Sequence, residues 1–96
     1  MVRKYEMMVI ARPDLDEAGL QALSDKIAEL ITSNGGTVES QDAWKKQRLA
    51  YEIKHLREGY YSVFNFTGEP RTANELNRVL KITDEVVRFL IVRPWE

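Results

Sequence analysis

Hydrophobic and polar positions change period several times along the chain, and each change marks an element. The opening segment RKYEMMVIA is apolar at neighbouring as well as alternate positions, which predicts a strand over residues 3 to 11 buried on much of both faces. Leu20, Leu23, Ile27, Leu30 and Ile31 then form one helical stripe, with Gln21, Asp25, Lys26 and Glu29 on the wet side. Asp14 and Glu17 are the expected capping pair at the start of this helix, and Asn34-Gly35-Gly36 stops it. From Thr37 to Lys54 one half-exposed strand is expected. Its second half places Leu49, Tyr51 and Ile53 on one face and Arg48, Ala50, Glu52 and Lys54 on the other. A bend, bulge or extension beyond the sheet is expected at Asp42 to Gln47, around Trp44. His55 to Gly59 should turn the chain into a third strand, the aromatic and β-branched Tyr60 to Thr67. Pro70 suits the first turn of a second helix carrying Ala73, Leu76, Val79 and Leu80, and Val86 to Val92 reads as the last strand.

The order strand, helix, strand, strand, helix, strand describes two β-α-β units joined by a hairpin. Right-handed crossovers put both helices on one face of a four-stranded antiparallel sheet, so the expected class is α+β, a ferredoxin-like βαββαβ sandwich forming a single domain over residues 1–96. The first and third strands should be central. The second strand, with Arg48, Glu52 and Lys54, has the charge that protects a sheet edge from pairing with strangers.

Composition narrows the chemistry. The absence of cysteine removes disulfides, thiolate catalysis and sulfur-ligated metals, and one histidine leaves little for an imidazole site, so most enzyme chemistry is disfavoured. No apolar run is long enough to cross a bilayer or serve as a signal peptide, so the chain is read as cytosolic, with no membrane partner. The formal charge of -1 conceals strong segregation: residues 1–12 carry +2, 13–42 carry -6, 43–57 carry +4 and 58–96 carry -1. Clusters of one sign can attract an opposite polymer locally, which keeps a nucleic-acid role open.

Asp14, Asp16 and Glu17 belong to a helix start and read as capping rather than as a metal site, and His55 reads as a solvated turn residue. Gly35-Gly36 follows a helix and precedes a strand, the reverse of a phosphate loop. Glu58-Gly59-Tyr60-Tyr61-Ser62-Val63-Phe64-Asn65 lacks the leading base and two aromatic positions of the RNA-recognition motif, so Tyr60, Phe64 and Phe66 are expected in packing rather than base stacking. More informative are the cations Arg3 and Lys4 on the first strand, Lys45, Lys46, Arg48 and Lys54 on the second, and Arg88 and Arg93 at the last. They read either as edge solubility devices or as phosphate contacts. Two other readings stay open: a small-molecule regulatory module with ligand at Arg12 to Asp16, and an acylphosphatase-like enzyme, for which that loop offers two carboxylates where phosphate should sit. Trp44 and Trp95 lie near element ends, where packing inward and facing a partner are equally reasonable.

Six landmarks recur in order: Arg3-Lys4-Tyr5-Glu6, Arg12-Pro13-Asp14-Leu15-Asp16, Asn34-Gly35-Gly36, Arg48-Leu49-Ala50-Tyr51-Glu52-Ile53, Glu58-Gly59-Tyr60-Tyr61 and Leu80-Lys81-Ile82-Thr83-Asp84-Glu85-Val86-Val87-Arg88. With them the chain resembles the bacterial ribosomal protein S-six family of the small subunit across essentially its whole length. The resemblance implies a non-catalytic, cytoplasmic ribosomal component with no cofactor, metal or small-molecule ligand. It further implies binding to small-subunit platform RNA as a pair with ribosomal protein S-eighteen. The family's contacts carry over to Arg3, Lys4, Arg48 and Arg88, with Lys45, Lys46, Lys54 and Arg93 as weaker candidates. Family members can have a second arginine before Arg48 and before Arg88; Gln47 and Val87 stand there in this chain. Some members also carry a long tail beyond the position of Glu96.

Overall fold

A computed structural model describes residues 1–94. In chain order the elements are β1 (Arg3–Ala11), α1 (Glu17–Ser33), β2 (Thr37–Gln41), β3 (Lys45–Ile53), β4 (Leu56–Gly68), α2 (Pro70–Lys81) and β5 (Val86–Val92). All strand pairs are antiparallel. The sheet runs β2-β4-β1-β5, and β3 pairs with β4 as well. β2 covers Phe64 to Thr67 of β4 while β3 covers Glu58 to Tyr61, so the two occupy successive stretches of one edge. The expected four-position sheet is therefore present, with β4 and β1 central, and its second position is filled by two strands rather than one.

The break between β2 and β3 has a specific cause. Trp44 turns inward, its indole N–H donating to Ser24 Oγ at 2.8 Å beside a second donor, Gln41 Nε2, also at 2.8 Å. Its ring meets Phe64 edge-on, with centroids 6.3 Å apart. β4 holds the backbone there: Asp42 donates its N–H to the Val63 carbonyl and accepts on its own carbonyl from Ser62 Oγ at 2.6 Å. A continuous ladder would leave that indole in water. Trp44 thus packs in the core margin; Trp95 lies outside the described residues.

Two other expectations are corrected. The α1 cap is Asp16, whose carboxylate accepts from Gly19 N–H at 2.8 Å, because Asp14 is engaged by Arg12. The hairpin turns at Lys54 and His55, with φ of 51° and 66°, and β4 already begins at Leu56. Two successive residues in the left-handed region are what a two-residue hairpin loop needs to match strand twist. The other end of α1 follows the sequence: Gly35 takes φ of 83°, and Gly36 and Gly35 donate to the Ile31 and Thr32 carbonyls as a Schellman stop.

Alternation along the central strands sends Met7, Val9, Phe64 and Phe66 under the helices, where they meet Leu20, Leu23, Ile27 and Ile31 of α1 and Leu76 and Leu80 of α2. Tyr5 stacks on Phe66 at 5.2 Å. Thr72 is fully buried and links the helices, its hydroxyl donating to the Asn34 carbonyl at 2.7 Å.

Candidate nucleic-acid and partner interface

The face of the sheet turned away from the helices is where the functional candidates gather. Register places Lys45, Tyr61, Ile10 and Arg88 in one row across four strand positions. At the usual strand spacing, Lys45 and Arg88 stand roughly 14 Å apart. Met8 and Leu90 form the next row, and Glu6 with Val92 the one after. The β3–β4 hairpin bends over this face, because the β3 register slips between Arg48 and Ile53. Leu49, Tyr51 and Ile53 consequently line a shallow cavity of about 260 Å³ with Met8, Tyr61 and Arg88. Gly59 permits the bend: a Cβ there would stand 2.7 Å from Ile10 Cγ2, and Ile10 is nearly fully buried. Leu90 remains 56% and Tyr51 68% exposed. The result is an apolar surface that the described residues do not finish covering.

Cations rim it. Lys4, Lys45, Lys54 and Arg88 are exposed and make no ion pair or side-chain hydrogen bond among the described residues, and Arg48 is in the same condition opposite Glu58. Lys46 differs, lying 3.7 Å from Glu58 Oε1 and over the Tyr60 ring at 5.4 Å from its centroid. The candidates do not form one patch. By register Lys46 and Arg48 share the side of Tyr60, which packs against the core, whereas Lys45 and Arg88 are on the open face. Lys4 shares the open face but lies six residues along β1 from Ile10, roughly 20 Å away. Arg3 sits on the helix side at the same end, half-buried, and Arg93 follows β5 near Tyr5.

Most of the other arginines are committed elsewhere. Arg12 bridges Asp14 and Asp84, at 3.0 and 2.8 Å, and the hydrogen bonds it donates to Asp14, with the charges of both carboxylates, raise its pKa. This clamp joins the loops before α1 and before β5 and gives the segment Arg12 to Asp16 a structural role. Arg57 lies 3.8 Å from Glu52, Arg71 pairs with Glu69, and Arg78 with Glu75. His55 is 99% exposed on its side chain. Phe64 and Phe66, fully buried, present no ring for a base to stack on. The two-sided apolar character of β1, where Met8 and Ile10 alternate with Met7 and Val9, was read in the sequence; that the far face is left partly open was not.

The family profile described as ribosomal protein S6 matches residues 4–93. A small ribosomal subunit protein bS6 of Symbiobacterium thermophilum is 97% identical over 95 residues, covering 99% of this chain and 100% of that protein. The chain belongs to the ribosomal protein S6 family. A second S6 relative, from Heliobacterium modesticaldum, is 48% identical over 95 residues and 99% of each chain. The crystal structure of 30S ribosomal protein S6 from Thermotoga maritima superimposes with a TM-score of 0.90 at 28% identity, covering 97% of this chain and 88% of that one. The ferredoxin-like α+β class read from the element order is borne out. As an S6-family member the chain has a structural, non-enzymatic role in the small ribosomal subunit, and its place is the bacterial cytoplasm.

Proposed function

We propose that this S6-family chain binds platform RNA of the small subunit together with ribosomal protein S-eighteen, using shape and phosphate contacts rather than base readout. The observation that carries the reading is the open sheet face, apolar at its centre and rimmed by Lys45, Lys54 and Arg88, which no carboxylate among the described residues engages. A protein partner seated on Met8, Tyr51, Tyr61 and Leu90 would finish that surface. Arg48 and Arg88, flanking it on opposite sides of the sheet, and Arg3 with Lys4 at the start of β1, would then reach phosphate or partner carboxylates. Lys45, Lys46, Lys54 and Arg93 add to the field. No metal or small molecule enters this scheme.

With few uncommitted cations and an acidic first helix, the chain alone should hold RNA weakly and lose it as salt rises. The test is binding of labelled platform RNA at two salt concentrations, with and without purified S-eighteen. Tight, salt-sensitive binding should require the partner. Reversing two charges, Arg48→Glu with Arg88→Glu, should weaken that assembly roughly tenfold or more while the circular dichroism spectrum stays that of the parent. A double variant that assembles like the parent would show these two residues to be misassigned.

A further inference from the structure

The two edges of the sheet are finished differently. On one side β2 has only five residues, its register slips between Val38 and Ser40, the chain leaves the ladder at Asp42, and Lys45, Lys46 and Arg48 follow. These are the devices by which a protein blunts an edge. On the other side β5 runs seven residues, VVRFLIV, with a single charge, and among the described residues it pairs only with β1. Its outer backbone groups form an unprotected template.

Along that edge lies a concavity of about 840 Å³, walled by α2 and reached from the far side by Lys54 of the hairpin tip. Asn74 and Asn77 present amides from α2. The four charged residues that line it, Lys54, Lys81, Arg88 and Arg93, are all cations, with no carboxylate among the lining residues.

We propose that this groove accepts an extended, acidic segment of a partner protein, added to the sheet as a further strand beside β5. Main-chain hydrogen bonds to the free edge would supply affinity, alternate apolar side chains would meet Ala73, Leu80 and Ile91 in the groove wall, and carboxylates would meet the cations on either side. Charge complementarity selects this occupant. A second copy of the chain pairing β5 with β5 would bring two sets of the same cations together. A nucleic acid could set phosphates on the cations but has no peptide backbone to continue the ladder beside β5, and it would find no ring to stack on, since Tyr5 is buried in its contact with Phe66 and Phe89 is half-buried against the core.

The groove shares Lys54, Arg88 and Arg93 with the surface proposed for platform RNA and S-eighteen, so it is tested separately, on the full chain, isotopically labelled, with two heptapeptides: alternating valine and glutamate, and its lysine counterpart. The acidic peptide should shift the amides of Val86 to Val92 and slow their exchange roughly tenfold at saturation. The lysine peptide should leave them unchanged. Lys81→Glu, an exposed substitution outside the proposed RNA contacts, should weaken the acidic peptide roughly fivefold while binding of RNA with S-eighteen is unaffected. An equal response to both peptides, or none to either, would overturn the proposal. So would β5 protection in the absence of peptide with a dimer in sedimentation equilibrium, or protection of the same amides by platform RNA alone.

Discussion

On the helix-covered face of the sheet Met7, Val9, Phe64 and Phe66 are out of contact with water, whereas on the opposite face Met8 of β1, Tyr61 of β4 and Leu90 of β5 keep part of their surface wet. Two surfaces of similar apolar character thus end differently, because the chain has two helices and spends both on one side. A strand that is apolar on both faces needs two coverings. Here the second covering is partial, a bent hairpin, and the remainder is consistent with the docking surface proposed for a partner.

The largest effect should come from truncating the closed side. Phe64→Ala should cost about 3 to 5 kcal/mol, seen as a fall in the urea midpoint. Leu90→Ala, on the open side, should change stability by less than about 0.5 kcal/mol and instead weaken capture by the partner. Equal losses of stability would erase the distinction between the faces. Next comes the seam where the covering begins: Ser24→Ala leaves the Trp44 indole and the Gln41 amide without their shared acceptor. It should cost about 1 to 3 kcal/mol, with a red shift of tryptophan emission as the ring is released.

The hairpin that half-covers the open face offers a change of opposite sign. Replacing Lys54 by Asn and His55 by Gly removes the side-chain clash with left-handed backbone and should stabilise the chain by about 1 kcal/mol, measured by thermal midpoint. The smallest effect lies on the outer surface of α2, where Arg78 donates to Glu75 and that hydrogen bond, ahead of its charge, lowers the Glu75 pKa. A depressed carboxylate stabilises the fold above its unfolded-state value and loses that contribution as pH falls through the folded one. The midpoint difference between the parent and Glu75→Gln should therefore be present at neutral pH and fade below about pH 5, where carboxylates begin to take up protons.

Element order, the sheet's central pair and the core stripes were legible in the sequence because each depends on local period. What was not legible depended on competition between distant groups. Asp14 and Asp16 are equally good caps in isolation, and the choice between them was made by Arg12, which engages Asp14. A departure from the ladder at Asp42 to Gln47 was legible, but that it is a full break into two strands depended on a serine in the middle of α1. The turn at Lys54-His55 carries no Asn-Gly signature, so propensity pointed a few residues downstream. For the functional candidates the residue types were readable and the facing was not. A single register slip after Arg48 decides which side of the sheet each later side chain of β3 occupies, and simple alternation cannot see it.

The central ladder has a consequence for how the chain is born. Arg3 pairs with Gly68 and Ala11 with Tyr60, so even the shortest of these bridges spans about half the chain. Loop closure of that size must be met before any of the pairs is rewarded, which slows folding and delays it. During synthesis β1 precedes its partners and has no neighbour in the sheet until β4 follows, leaving the apolar run Met7 to Ala11 to wait at the exit of the very particle this family helps to build.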